Sequence, residues 1–347
     1  MAVISLRGPK SASRGLAIFF GLRFLLVPSF SLAAGDVGGN PEKEEIVIAY
    51  PQPSGAFTPV WVAYEAGLFK RYGLTAKLQV LNPQVSVQAV ISGSADIGLA
   101  AGDMINAGLQ GARIKLFAST TMQFVFQLWA AREITEIQQL KGKTIGASTP
   151  RSPVEISTRE VLKRYGLVAD KDVKFLYFQT VPAILTAIVT GKAAAGALSA
   201  PTTLKAKEAG LNLLADYGKL NVPGPNLAYG ATEKFLRENP NAIYAFLKAM
   251  AEAVVLSRND AATAKRAIAR YTKVEDAKIV DETYDAFAPY WATSLVVRPE
   301  PIEVWFRYLD EKDYPQIKNA DPRAFYDNSF VDDLERSGFF QKLGWTK

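Results

Sequence analysis

The residues best suited to holding a small molecule cluster in two short loops rich in proline, serine and glycine. One loop contains Ser54, Gly55, Ala56 and Phe57, and the other contains Ser148, Thr149, Pro150 and Arg151. Hydroxyls, backbone N–H groups, one aromatic ring and one guanidinium can bind a solute without reacting with it. Composition narrows the chemistry further, because the chain has no cysteine and no histidine. The missing histidine removes the commonest general base and the commonest transition-metal ligand. Serine–histidine triads, histidine–zinc sites and histidine proton shuttles are therefore excluded. Disulfides and thiolate nucleophiles are excluded as well. No cofactor, metal or catalytic residue is expected.

The two loops occupy matching places in a faint internal repeat. The first copy opens with Ile46–Tyr50, passes Lys70-Arg71-Tyr72-Gly73-Leu74, and closes with Gly93-Ser94-Ala95-Asp96-Ile97-Gly98-Leu99-Ala100. The second opens with Thr144–Ala147, passes Lys163-Arg164-Tyr165-Gly166-Leu167, and closes with Gly191–Leu198. Each copy reads as strand, loop, helix, strand, loop, helix, strand. Two such α/β units predict two lobes with a cleft between them, and ligands of open α/β sheets gather at the carboxyl ends of the strands.

That placement extends the candidate set. In the first unit it adds Asn82 and Gln84, then Ala101, Gly102 and Asp103. In the second it adds Gln179 and Thr180, then Ser199 and Pro201. Helix N-termini at several of these points could hold an anion through free N–H groups. Phe57 is the candidate for stacking on a solute. Arg151, the one cation of these loops, is either an anion contact or a solvated surface charge. Asp103 is either a contact or the cap of a helix running to Leu109, and its charge would oppose an anionic solute. Ser152, with Pro153 and Glu155, reads as a helix cap with a complete capping box. Trp61, Phe124 and Phe126 read as packing.

A chain of 347 residues accommodates about two domains. The formal charge of +6 is misleading. Of 40 lysines and arginines, four (Arg7, Lys10, Arg14 and Arg23) lie in residues 1–34, which hold no acid, leaving 36 against 34 acidic residues. No basic stripe suits a phosphate backbone, so nucleic acid is not an expected partner. Those four residues instead belong to a basic, then apolar, then small-residue start. It predicts a signal peptide over 1–34, cleaved near Ala33 or Ala34, and export to the periplasm. Residues 35–44 read as a flexible leader. From Glu233 onward helical periodicity dominates, and these helices need a surface to cover their apolar faces.

Three motifs carry a family resemblance. The run Pro59–Phe69, with its Gly67-Leu68-Phe69 ending, is the first. Gly93-Ser94-Ala95-Asp96-Ile97-Gly98 is the second, and Leu140-Lys141-Gly142-Lys143-Thr144-Ile145-Gly146 is the third. In this order, across about 45–310, they resemble ABC-transporter substrate-binding proteins of the nitrate/sulfonate/taurine and thiamine-precursor type. The resemblance implies the two-lobed α/β type II periplasmic-binding-protein fold, with C-terminal helices on the first lobe. It places lobe one at 45–131 and 229–347, and lobe two at 137–224. Hinge strands are expected near Gln127–Ala131 and Leu227–Ala231.

It also implies a function: an exported monomer that captures a small solute, sulfonate-like first, and delivers it to an ABC permease. A neutral heteroaromatic solute of the thiamine-precursor kind, or an exported sensor, are the alternatives. The enzyme of this fold that makes the thiamine pyrimidine is implied to need a histidine and a cysteine-rich iron motif, which this chain lacks. A transcription regulator would need a helix-turn-helix, for which residues 1–44 are too short.

Overall fold

In the computed structural model the described residues are 37–345, apart from Gln52 and Thr293. The expected signal peptide lies outside the described residues. The first unit forms β1 (Glu45–Tyr50), α1 (Thr58–Glu65), α2 (Leu68–Arg71), β2 (Thr75–Val80), α3 (Pro83–Ser92), β3 (Ile97–Gly98), α4 (Ala101–Leu109) and β4 (Ile114–Gln123). The second forms β5 (Gln127–Ala130), β6 (Thr144–Ala147), α5 (Pro153–Arg164), β7 (Lys174–Tyr177), α6 (Val181–Val189), β8 (Ala195–Leu198), α7 (Thr202–Glu208) and β9 (Asn212–Asp216). Then follow β10 (Pro223–Thr232), α8 (Glu233–Glu238), α9 (Pro240–Asn259), α10 (Ala261–Thr272), α11 (Ala277–Phe287), α12 (Pro299–Arg307), α13 (Ser329–Arg336) and α14 (Phe339–Lys342).

Local chemistry fixes where the cleft helices begin. Asn82 accepts from the Val85 N–H at 2.9 Å, and Pro83 occupies the first turn of α3, where its missing N–H costs nothing. Thr180 starts α6 the same way, accepting from Ala183 N–H ahead of Pro182. Two expectations change in detail. β3 is shorter than Asp96–Ala100, though the Asp96 and Leu99 N–H groups on either side of it still donate to the Val47 and Ala49 carbonyls of β1, and the Asp96 carboxylate accepts from Lys43 at 2.7 Å and from the Val47 N–H at 2.9 Å. Asp103 does not cap α4: the helix begins at Ala101 behind Ala100, which offers no side-chain cap, and Asp103 lies in the first turn.

The repeat generates two sheets of matching order, β2-β1-β3-β10-β4 and β7-β6-β8-β5-β9. In each, three parallel strands meet an antiparallel strand supplied across the chain. β5 therefore lies wholly in the second sheet and β10 in the first, and the chain passes between the sheets outside those two strands. The crossings are the segments just before them, at 124–126 and 217–222. They bond to each other, Phe124 N–H to the Val222 carbonyl at 2.8 Å and Tyr217 N–H to the Phe126 carbonyl at 2.9 Å. Phe124 is fully buried there and lies so close to Gly224 that a Cβ would come within 2.1 Å of its ring. A similar close approach joins helix to sheet in the first lobe. Met104 of α4 lies over the paired glycines 98 and 230, where added Cβ atoms would fall 2.0 and 2.3 Å from it.

The C-terminal helices cover the first lobe. Phe246 of α9 packs on Phe69, Phe117 and Tyr229, and Trp61 is fully buried and stacked on Tyr271 of α10 at 5.1 Å. They also reach the second lobe, which the sequence did not suggest. Glu160 of α5 accepts from Arg307 at 2.9 Å and from the Tyr308 hydroxyl at 2.8 Å. The expected leader is held too: Gly39 N–H donates to Asn241, Glu42 accepts from the N–H groups at the start of α9, and Lys43 pairs with Asp96.

Candidate functional site

Between the lobes lies a cavity of about 440 Å³, walled by strand-end loops of both. Ten of the sixteen candidate residues line it. Phe57, Gln84, Ala101, Gly102 and Asp103 come from the first lobe, and Ser148, Thr149, Arg151, Gln179 and Thr180 from the second. The other six are turned to local structure. Ser54 caps the short 3-10 helix Gly55–Phe57 by accepting from the Ala56 N–H. Gly55 lies against Thr283 and Phe287 of α11. Asn82 is the α3 cap, and the Ser199 carbonyl accepts from Thr202 N–H ahead of α7. Ala56 and Pro201 are half-buried and do not border the cavity.

The second wall is built around the start of α5. Ser152 accepts from Glu155 N–H and from the Ser148 hydroxyl, the latter at 2.9 Å. The capping box is not the complete one expected, because Glu155 reaches one residue further back. Its carboxylate accepts from Arg151 N–H at 2.6 Å, holding Arg151 in a left-handed conformation (φ 58°). The Arg151 guanidinium then leaves for the C-terminal segment. It pairs with Asp313 at 2.5 Å and Asp310 at 3.7 Å, and lies 5.9 Å from the centre of the Tyr314 ring. Of the two roles open to it, anion contact or solvated surface charge, Arg151 takes neither outright, because two carboxylates already match it.

The first wall is built on α3 and α4. Trp305 of α12 packs against Gly102 and donates from its indole N–H to Asn106 at 2.9 Å, fixing α4 from behind. Asp103, Asn106 and Gln110 lie on one face of α4, and Gln84 and Gln88 on one face of α3, all bordering the cavity. Asp103 has no ion pair among the described residues. Burial pushes its carboxyl up to about 6, opposed only by its own backbone N–H. The second-lobe loops add hydroxyls and amides but no further charge.

Aromatic placement departs from expectation. Phe57 borders the cavity, yet it is 5% exposed and packed on Tyr50 at 5.4 Å and Trp61 at 6.4 Å. Phe126, expected as packing, lines the cavity instead, as does Tyr314. Sequence reasoning also missed Asn106, Gln110 and Gln88. A signal for them existed: polar residues at three- and four-residue spacing from Asp103 and Gln84 share a helix face. Nothing local marked Tyr314, which arrives from a distant part of the chain.

A protein-family model described as NMT1/THI5 like matches residues 54–264. No curated protein matches the sequence. Solved structures with the same fold include the periplasmic aliphatic sulphonate binding protein SsuA from Escherichia coli. It is 19% identical, with a TM-score of 0.66, over 82% of this chain and 92% of that one. The periplasmic nitrate-binding protein NrtA from Synechocystis is 14% identical, with a TM-score of 0.66, over 87% and 90%. The alkanesulfonate-binding protein SsuA from Xanthomonas axonopodis, bound to MOPS, is 17% identical, with a TM-score of 0.63, over 84% and 97%.

Proposed function

The chain belongs to the NMT1/THI5-like family, and from that premise we propose that it is the exported solute-binding component of an ABC importer. The observation that carries this reading is the cavity of about 440 Å³ walled by the strand-end loops of two repeated α/β units, directly beside their paired crossing segments. A solute held by both walls draws them together about that hinge, and a permease can read the closed shape. No covalent step is part of the proposal. The lobes we assign follow the sheets: 45–123 with 223–345, and 127–216. No helix among the described residues is long and apolar enough to cross a membrane.

The cavity-lining candidates are proposed as its contacts, with Phe126, Asn106, Gln110 and Tyr314 added. A sulfonate-like solute, placed first by the family resemblance, asks for a free cation, and Arg151 is already paired. The half-buried rings of Phe126 and Tyr314 favour an organic solute without negative charge.

A thermal-shift screen of sulfonates, nitrate, amines and heteroaromatics tests the binding role. A solute at 100 times its dissociation constant stabilises by about 2.7 kcal/mol. Stabilisation by no small molecule would remove the proposal. Export is tested separately: mature protein from the native host should begin near Ala34 or Gly35, and an intact Met1 in a soluble cytoplasmic fraction would oppose it.

A further inference from the structure

Two ionisable carriers of charge line the cleft, Asp103 and Arg151, and only one is free. Arg151 is bound to Asp310 and Asp313. Asp103 sits half-buried on the opposite wall with no ion pair among the described residues, and no lysine and no second arginine borders the cavity. We infer that the cleft takes a small organic cation whose N–H donors engage the Asp103 carboxylate, and that it rejects oxyanions. This rests on the solute-binding reading above and sharpens its substrate class.

A carboxylate taken partly out of water without a partner is costly, and a bound cation restores what water supplied. Burial already pushes Asp103 up to about 6, the direction expected of a charge awaiting compensation. The neighbouring groups add to the preference. Amide side chains Gln84, Gln88 and Gln110 offer carbonyl acceptors around the cavity, and the Phe126 ring that borders it is of a kind that attracts cations, while the Tyr314 ring already lies 5.9 Å from the Arg151 guanidinium. An oxyanion entering the same space would face Asp103 and compete with two aspartates for Arg151.

Three monosubstituted benzenes that differ in the charge of their substituent separate the possibilities: benzamidine (cationic), benzamide (neutral) and benzenesulfonate (anionic). In thermal-shift and calorimetric titrations at pH 7.5, benzamidine should bind most tightly, benzamide at least about tenfold more weakly, and benzenesulfonate not at all. Asp103→Asn should erase the preference for benzamidine, with circular dichroism reporting an intact fold, and Asp103→Glu should restore part of it. Benzamidine should also bind about tenfold more weakly at pH 5.0, where Asp103 carries a proton. The other charged or titratable groups nearby are Arg151 and Tyr314, which border the cavity, and Asp310 and Asp313, which pair with Arg151. Retention of the pH effect in Asp103→Asn would therefore assign it to them and count against the inference. Tighter binding of benzenesulfonate than of benzamidine would overturn the charge preference and leave the solute-binding role standing. Silence from all three probes, together with silence in the wider screen, would overturn both.

Discussion

The two walls of the cleft are both built at helix starts, yet they differ in what their charges are doing. On the second wall the capping and charged side chains at the start of α5 are used. Ser152 caps the helix, Glu155 holds the Arg151 backbone, and the Arg151 side chain is tied to Asp310 and Asp313. On the first wall α4 begins without a side-chain cap, and Asp103 in its first turn has no basic partner among the described residues. A charge that already has its partner serves stability and geometry. A half-buried charge without one remains available to a ligand, at a cost to the unliganded protein.

The largest expected effect comes from neutralising the unpaired charge. Asp103→Asn should weaken benzamidine binding on the order of 10- to 150-fold, the worth of a charge-assisted hydrogen bond. The same change should stabilise the ligand-free protein. Because the folded-state pKa of Asp103 is raised from 3.8 to about 6, ionisation opposes folding as pH climbs through that window. At pH 7.5 the variant should gain up to about 3 kcal/mol, and the gain should vanish near pH 4. Urea unfolding at the two pH values measures it, and a loss of stability at pH 7.5 would mean that Asp103 is a structural group.

Asp96, only seven residues earlier, supplies the contrast of a paired aspartate. Asp96→Ala breaks the contact with Lys43 and strands the Val47 N–H at the start of the first sheet. It should cost about 2–3 kcal/mol and leave the ranking of the three probes unchanged. A reversed ranking would place Asp96 in the binding machinery after all.

A smaller effect is expected at the second wall. Ser152→Ala removes the α5 cap and should cost about 1 kcal/mol in denaturant unfolding. Benzamidine affinity should stay within about twofold, since the hydroxyl's partners are the Glu155 N–H and Ser148. A tenfold loss of affinity would show that the cap doubles as a ligand contact.

The legibility of these walls in the sequence follows the range of the forces involved. Asn82-Pro83, Ser152-Pro153 and Thr180-Val181-Pro182 are local signals, and each marks a real helix start. The repeat carried the three parallel strands of each sheet for a similar reason, since they lie close together in the chain. What escaped depended on distant partners. The residues at which the chain crosses between the sheets, 124–126 and 217–222, carry no local signal, because strand exchange is decided by pairing across the chain. Glu155 takes the Arg151 N–H, a shift of one residue that no spacing rule distinguishes. Above all, the choice for Arg151 between anion contact and surface charge stays open in the sequence, because its partners Asp310 and Asp313 lie about 160 positions later. Tyr314 arrives with them. Asp103, by contrast, was legible as a contact or a cap, and the structure leaves it at the cavity without the capping role.

The most direct test of the account is a calorimetric comparison of native protein and Arg151→Ala with benzamidine and benzenesulfonate. Removing a like charge while keeping Asp310 and Asp313 should strengthen benzamidine binding about two- to fivefold, in line with partly screened charges near a surface. Benzenesulfonate should remain unbound by both proteins. Binding of benzenesulfonate by the native protein, lost in Arg151→Ala, would contradict the account and return Arg151 to the role of anion receptor.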